Sequence, residues 1–373
     1  IIYTHSVIIN HMTQVKGRQR VVFLDFLRAI ACLMVIITHC GECFYIADGP
    51  ILNFALDDRS FSFVAFSNSL VRSCVPLFVM ASSYLMMPVE GSTRQFFTRR
   101  GGRVVIPFII WSLIYTFSPC FVDGAPVDSV WSNLTHLIYN FNDHAGHLWF
   151  IYMLLGVYLI MPVISPWLKT VSRRGEEAFL AVWFVSTFMA YAHYFLGYII
   201  GEGIWNEFHA LYYYSGFIGY VVLAHYIRTY LDWSAAKSWA IGGACYIVGF
   251  IPTFFIFNSF KSMSPADVDW SLVEMPWKFC TPNVALMAFG LFMIFKTIKK
   301  APEWLLKPVE SLSKMSYGMY LMHIIVLGIY AKYFVGTMPV ELAIPMMAIA
   351  VYATTWCVSR VLSVIPGGRY LVG

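Results

Sequence analysis

Ten apolar stretches, each long enough to cross about 30 Å of hydrocarbon, limit what this chain can fold into. Their approximate limits are 21–45, 63–87, 104–122, 148–168, 178–199, 209–231, 238–258, 275–297, 315–335 and 340–362. Backbone N–H and C=O groups at that depth have no water to bond, so each stretch must satisfy them within a helix. The chain therefore reads as an all-α polytopic membrane bundle of ten transmembrane helices. Residues are 59% hydrophobic and 12% charged, and no stretch of about 100 residues is free of such runs, so no separate soluble domain is expected. The expected organisation is a tail over 1–20, a membrane domain over 21–362 and a second tail over 363–373. The fifth and sixth spans are the least regular, because Gly197, Gly201 and Gly203 interrupt the tract Phe195–Asn206.

The distribution of positive charge orients the bundle. With a cytoplasmic N-terminus, nineteen of the 25 Lys and Arg fall on the inner side. Only Arg59, Lys261, Lys278 and Lys332 fall on the outer side, and Arg28 and Arg72 lie within spans. That bias predicts both termini in the cytoplasm. The outer side collects most of the acidic residues, and its longest connection, 122–147, carries Asp123, Asp128, Asp143, His136, His144 and His147. The outer loops are the expected acceptor-facing surface. Ile1–His11 read as a tail unlike a cleaved signal peptide, and Met12 followed by Lys16, Arg18 and Arg20 looks like a more natural start. No internal repeat is visible.

The eight cysteines are scattered and mostly apolar in context, which points to small hydrophobes rather than a disulfide framework or zinc site. Cys40-Gly41-Glu42-Cys43 matches C-x-x-C but ends a spanning helix and lacks a thioredoxin context. Asn133-Leu134-Thr135 fits a glycosylation tripeptide too common to decide anything. No metal and no nucleic-acid partner is expected. Membrane lipid is.

Intramembrane charge is costly and normally faces the bundle interior or a wet cavity. Arg28 and His39 are eleven residues apart on the first span, almost three turns, so they share a face about 16 Å apart along the axis. His39 falls in the outer half, and imidazole is the usual general base near neutral pH. A structural hydrogen-bonding role is the plainer reading. Arg28 lies near the inner edge, where snorkelling also accounts for it, and Asp25 is placed to pair with it. Glu42, at i+3, is near enough to orient His39, or is a solvated helix end. Arg72, between Ser67-Asn68-Ser69 and Ser73-Cys74-Val75-Pro76, marks a Pro-broken helix beside a cavity. Together Arg28 and Arg72 are candidates to hold a phosphorylated or carbonyl-bearing ligand. Arg94, Arg99, Arg100 and Arg103 are an ordinary inner-side charge cluster and also a candidate clamp for a cytosolic phosphorylated cofactor. His147 and Trp149 open the fourth span at the outer interface, where an aromatic belt is the default. His323 is deep enough to need an interior partner.

These residues lie in four ordered segments. Phe23–Ala31 with Arg28, followed after ten residues by His39, resembles the first-helix signature of the acyltransferase family 3 membrane proteins. Arg72-Ser73-Cys74-Val75-Pro76-Leu77-Phe78 through Ser82-Ser83-Tyr84-Leu85 resembles that family's second-helix segment. His147-Leu148-Trp149-Phe150 leading to Tyr158–Pro162, and Ser313–His323 with Ser316-Tyr317-Gly318, resemble two more. Ser83 stands where the family usually has Gly, which is expected to alter a close helix contact beside Arg72. The four segments resemble those of the type that O-acetylates enterobacterial common antigen or exopolysaccharide, and the additional esterase-like domain of some relatives is not expected.

The resemblance implies transfer of an acyl group, usually acetyl, from cytoplasmic acyl-CoA to a hydroxyl of a cell-envelope glycan or lipid-linked sugar, in the bacterial inner membrane. It implies His39 as general base, with Arg28 and Arg72 stabilising coenzyme phosphates or oxyanion charge. Arg99, Arg100 and Arg103 join the acetyl-CoA site, and Glu42, His147, Trp149, Tyr317 and His323 join the acceptor site. An acyl-histidine relay is the mechanistic alternative. A transporter or flippase would also explain ten spans and interior charge but ordinarily carries two-fold internal similarity. A non-catalytic scaffold gives no reason for Arg28 and His39 to share a face.

Overall fold

The structure, a computed structural model, describes residues 20–45, 56–122, 130–140, 143–206, 208–263 and 268–373. The expected tail with Ile1–His11, Met12, Lys16 and Arg18, and the loop residues Asp123 and Asp128, lie outside them, as do the side chains of Asp143 and His144. The described residues are helical with no strand. In chain order they form α1 (Val22–Glu42), α2 (Asp58–Val71), α3 (Cys74–Met86), α4 (Thr93–Arg100), α5 (Ile106–Val122) and α6 (Trp131–Tyr139). These are followed by α7 (Trp149–Thr170), α8 (Arg173–Ser186), α9 (Met189–Leu196), α10 (Ile218–Tyr230), α11 (Ala235–Asn258) and α12 (Trp270–Glu274). The last four are α13 (Pro282–Phe295), α14 (Glu303–Phe334), α15 (Val340–Val364) and α16 (Arg369–Val372).

Nine helical stretches among the described residues are long and apolar enough to cross a membrane. The tenth stretch, expected over 209–231, contains α10, whose 13 residues rise only about 20 Å. The described residues before it, 197–206 and 208–217, are not α-helical, and Gly197, Gly201 and Gly216 among them adopt positive φ, a backbone conformation that side chains with a Cβ rarely tolerate.

α1 is the centre of the bundle. It packs against α2, α3, α13, α14 and α15, which is why an apolar helix carrying Arg28, His39 and Glu42 can keep those groups off the lipid. Its first turn holds Asp25, a favourable place for a carboxylate at a helix N-terminus. The expected Asp25–Arg28 pairing is replaced: Asp25 accepts from Arg20 Nε at 2.6 Å and from Ser313 Oγ at 2.7 Å. Arg20 also pairs with Glu310 on α14, so these contacts pin the entry of α1 to α14.

The second span is broken where the sequence indicates. α2 stops at Val71 and α3 starts at Cys74, with Arg72 and Ser73 between them. Pro76 lacks an N–H and its ring crowds the carbonyl four residues back, which is that of Arg72. The break turns the Arg72 side chain inward, where it is 6% exposed.

On the other flank α11 and α13 meet through small residues. A Cβ on Gly290 would lie 2.2 Å from the Gly242 carbonyl oxygen, and one on Gly249 would lie 2.2 Å from that of Asn283. Backbones that approach this closely gain packing and weak polar contacts unavailable to larger residues. Cys40 is fully buried in the apolar core beside α2, and Cys43 Sγ contacts the His39 carbonyl oxygen at 3.4 Å. Both thiols are free, with no redox pairing.

Candidate active site

A cavity of about 410 Å³ runs beside the inward face of α1. Arg28, Val35, Thr38, His39 and Glu42 line it in sequence, so the facial register read from the eleven-residue step holds. Steps of seven, four and three residues keep Arg28, Val35, His39 and Glu42 on one stripe.

At the Arg28 end the other walls are Ser82, Arg100, Arg103, Tyr158, Lys314 and Tyr317. Arg28 Nη2 is 3.5 Å from the Ala81 carbonyl oxygen. Arg100 precedes and Arg103 lies within the π-helical turn Gly101–Val105 that joins α4 to α5, a distortion common at functional sites. Arg99 is exposed and is not among the lining residues. Tyr317, an expected acceptor-site residue, lines the cavity here, its Oη donating to the Val104 carbonyl oxygen at 2.8 Å. Four cationic side chains thus wall one end of one cavity.

At the other end Glu42 Oε2 lies 2.6 Å from His39 Nδ1. A carboxylate only accepts, so Nδ1 is the donor to Glu42, and in the neutral ring of that tautomer Nε2 is the acceptor. Arg72 Nη2 donates to Asn68 Oδ1 at 2.9 Å, reaches Tyr45 Oη at 3.4 Å and lies 4.0 Å from Glu42 Oε1. Its guanidinium carbon sits 4.1 Å above the Trp277 ring centroid. Because Arg72 meets Glu42, fourteen residues beyond Arg28 on α1, about 21 Å of helix separates the two arginines. They do not share one phosphate. Only an elongated ligand touches both, which narrows the phosphorylated or carbonyl-bearing ligand that the two arginines are candidates to hold.

Behind His39 stand two more imidazoles. The His39 and His323 ring centroids are 5.1 Å apart, as are those of His323 and His147. His323 Nδ1 donates to the Tyr320 carbonyl oxygen at 2.5 Å. Tyr320 Oη donates to the His147 carbonyl oxygen at 2.5 Å. His323 is fully buried and does not line the cavity, so its expected contact with acceptor is replaced by contact with His39 and His147. His147 and Trp149 do line it, with Trp149 stacked on Phe279 at 5.4 Å. Among the described residues no group of three or more His, Cys, Asp or Glu is placed to hold a metal ion.

Sequence reasoning named Asn68 only as a polar neighbour of Arg72 and missed Tyr45 and Trp277, and all three hold Arg72. The i,i+4 spacing of Asn68 and Arg72 was a readable signal. Trp277 had none, since it comes from the 3₁₀ turn Met275–Trp277, some 200 residues away in sequence.

The arrangement sets an imidazole paired with a carboxylate, and a buried guanidinium beside them, at one end of a cavity whose other end is walled by arginines. In comparisons with known proteins, the family described as an acyltransferase domain matches residues 21–363, nearly the whole chain. No curated protein and no solved structure matches.

Proposed function

We propose, from the premise that this chain belongs to the acyltransferase domain family and is a multi-pass membrane acyltransferase, that it moves acetyl from acetyl-CoA to a hydroxyl of an envelope glycan. The bacterial inner membrane is the proposed location, with donor on the cytoplasmic side. The observation that carries the reading is the placement of the His39–Glu42 pair and the Arg28–Arg100–Arg103 cluster on one cavity.

Arg28, Arg100, Arg103 and Lys314 fit the coenzyme phosphates, because guanidinium groups form strong charge-assisted bonds to phosphate. The thioester arm then points along α1 toward His39. Nε2 of His39 removes the proton of the sugar hydroxyl, and that oxygen attacks the thioester carbonyl carbon. Charge builds on the carbonyl oxygen within reach of Arg72, whose donors are worth most in a dry site. The C–S bond breaks, the thiolate takes the proton from His39, and an ester and free coenzyme A leave. Glu42 holds the ring and offsets the imidazolium charge that exists only during the step. His323 and Tyr320 fix the imidazole from behind.

Mass spectrometry of envelope glycans from cells with and without this chain tests the reading. Acetyl esters present only with the chain are expected. Identical glycans, with the protein inserted in the membrane, would reject it.

A further inference from the structure

After α15 the chain doubles back and re-enters the bundle at the Arg28 end of the cavity. Pro366-Gly367-Gly368 makes the reversal. Gly367 has φ +83°, and a Cβ on Gly368 would run into the Leu362 carbonyl oxygen, so the turn needs two residues without side chains. The short helix α16 then lies against α5, α14 and α15. Trp111 of α5, itself buried, donates its indole N–H to the Leu371 carbonyl oxygen at 2.8 Å. Val372, 4% exposed, fills a slot over Gly318 of α14, where an added Cβ would lie 2.8 Å from the Cβ of Val372.

These contacts bring Gly373 among the residues that line the cavity. A Cβ there would lie 3.0 Å from the Arg103 carbonyl oxygen and 2.7 Å from the Tyr317 ring. Tyr317 Oη takes the next carbonyl, that of Val104. Two consecutive carbonyls of the π-helical turn Gly101–Val105 are therefore backed, one by the end of α16 and one by Tyr317. Such a turn departs from the i→i−4 ladder of the helices beside it, so what holds it from outside sets where Arg103 points. We propose that α16 is a positioning element of the arginine-walled end: docked by Trp111 and by the Gly318 slot, it braces the π turn and keeps the Arg103 guanidinium on the cavity wall. Trp111, Gly318 and Val372 act through Arg103, and none of the three lines the cavity. The consequence for acyl-CoA rests on the transfer reading, whereas the bracing itself does not.

Val372→Asp places a carboxylate in the buried slot, a costly position for a charge, and should undock α16. Tyr370→Asp puts the same charge on the exposed side of the same turn. Transfer kinetics and amide hydrogen exchange are measured on both, in the full chain. Val372→Asp is expected to raise KM for acetyl-CoA about tenfold, the scale of one lost arginine contact, with kcat near wild type, and to speed exchange at 101–105. Tyr370→Asp is expected to do neither. Trp111→Phe, which keeps a ring and removes the N–H, should move both readouts the same way by a smaller factor, and serves if Val372→Asp does not insert. Because the brace works through Arg103, adding Val372→Asp to Arg103→Ala should raise KM no further. Losses that add, or a KM and an exchange rate that do not move together, would overturn the proposal, as would no change in either readout for Val372→Asp and Trp111→Phe. If the wild-type chain transfers no acetyl while Val372→Asp still speeds exchange at 101–105, transfer fails and the bracing stands.

Discussion

Gly41 leaves room for Asn68: a Cβ at position 41 would lie 2.2 Å from Asn68 Nδ2. Asn68 Oδ1 in turn holds Arg72 Nη2 at 2.9 Å. A residue without a side chain on α1 therefore sets where the arginine of the broken second span sits, next to the carboxylate that holds His39.

Gly41→Ala is expected to push Asn68 aside and displace Arg72, while leaving the Arg28 end untouched. Misplacement of a catalytic group by about 1 Å can cost roughly a hundredfold. Steady-state kinetics should show kcat falling on that scale with KM for acetyl-CoA unchanged. A rise in donor KM with normal kcat would contradict the separation of the two ends.

The arginine-rich mouth makes a sharper distinction, because Arg100 and Arg103 line the cavity and Arg99 does not. Replacing Arg100 or Arg103 by Ala should each raise donor KM about tenfold, the scale of a charge-assisted hydrogen bond. Arg99→Ala should leave it near the wild-type value. Equal effects at all three positions would mean a diffuse field, screened away by salt, rather than a site.

Far from the cavity, Gly290→Ala places a methyl against the Gly242 carbonyl oxygen at 2.2 Å. The neighbour is backbone and cannot rotate away, so α11 and α13 must separate. Overpacking of this kind costs about 1–3 kcal/mol. A lower Tm in detergent is expected, with the KM of the surviving protein unaltered.

Much of this was readable from sequence because membrane spans and intramembrane charge follow strong rules. The eleven-residue step placed Arg28 and His39 on one cavity, and Pro76 marked the break that turns Arg72 inward. Glu42 could be placed beside His39 because i+3 contacts are local. What escaped was long-range. Arg20, not Arg28, pairs with Asp25, and nothing in a chain of apolar spans says that Ser313 will be the second partner. Tyr317 and His323 are six residues apart on one helix, yet one stands at the Arg28 end and the other behind His39, because six residues rise about 9 Å and turn the helix by roughly 240°. The glycines flagged at 197 and 201 do interrupt the backbone, while the positive φ of Gly216, at the start of the sixth stretch, is invisible to any hydrophobicity window. Trp277 reaches Arg72 from the 3₁₀ turn that opens the 275–297 stretch, a contact that no local spacing signals.

Glu42→Gln keeps the shape of the side chain and removes its charge. The partner of His39 Nδ1 survives as an amide oxygen, so the ring stays oriented. The imidazolium formed during proton transfer loses its counter-charge in a low-dielectric site. Transfer should slow by a smaller factor than in His39→Ala, with binding of both substrates retained. Unchanged transfer would remove Glu42 from the chemistry.

The most direct measurement is single-turnover transfer of labelled acetyl from acetyl-CoA to envelope glycan in vesicles, with wild-type chain and with His39→Ala inserted in equal amounts. Loss of a positioned general base costs roughly 10²–10⁴-fold. The variant should bind acetyl-CoA normally and label glycan slower by that factor. Labelling at the wild-type rate by His39→Ala would show that the proton leaves by another route, and the role given to the His39 end of the channel would be wrong.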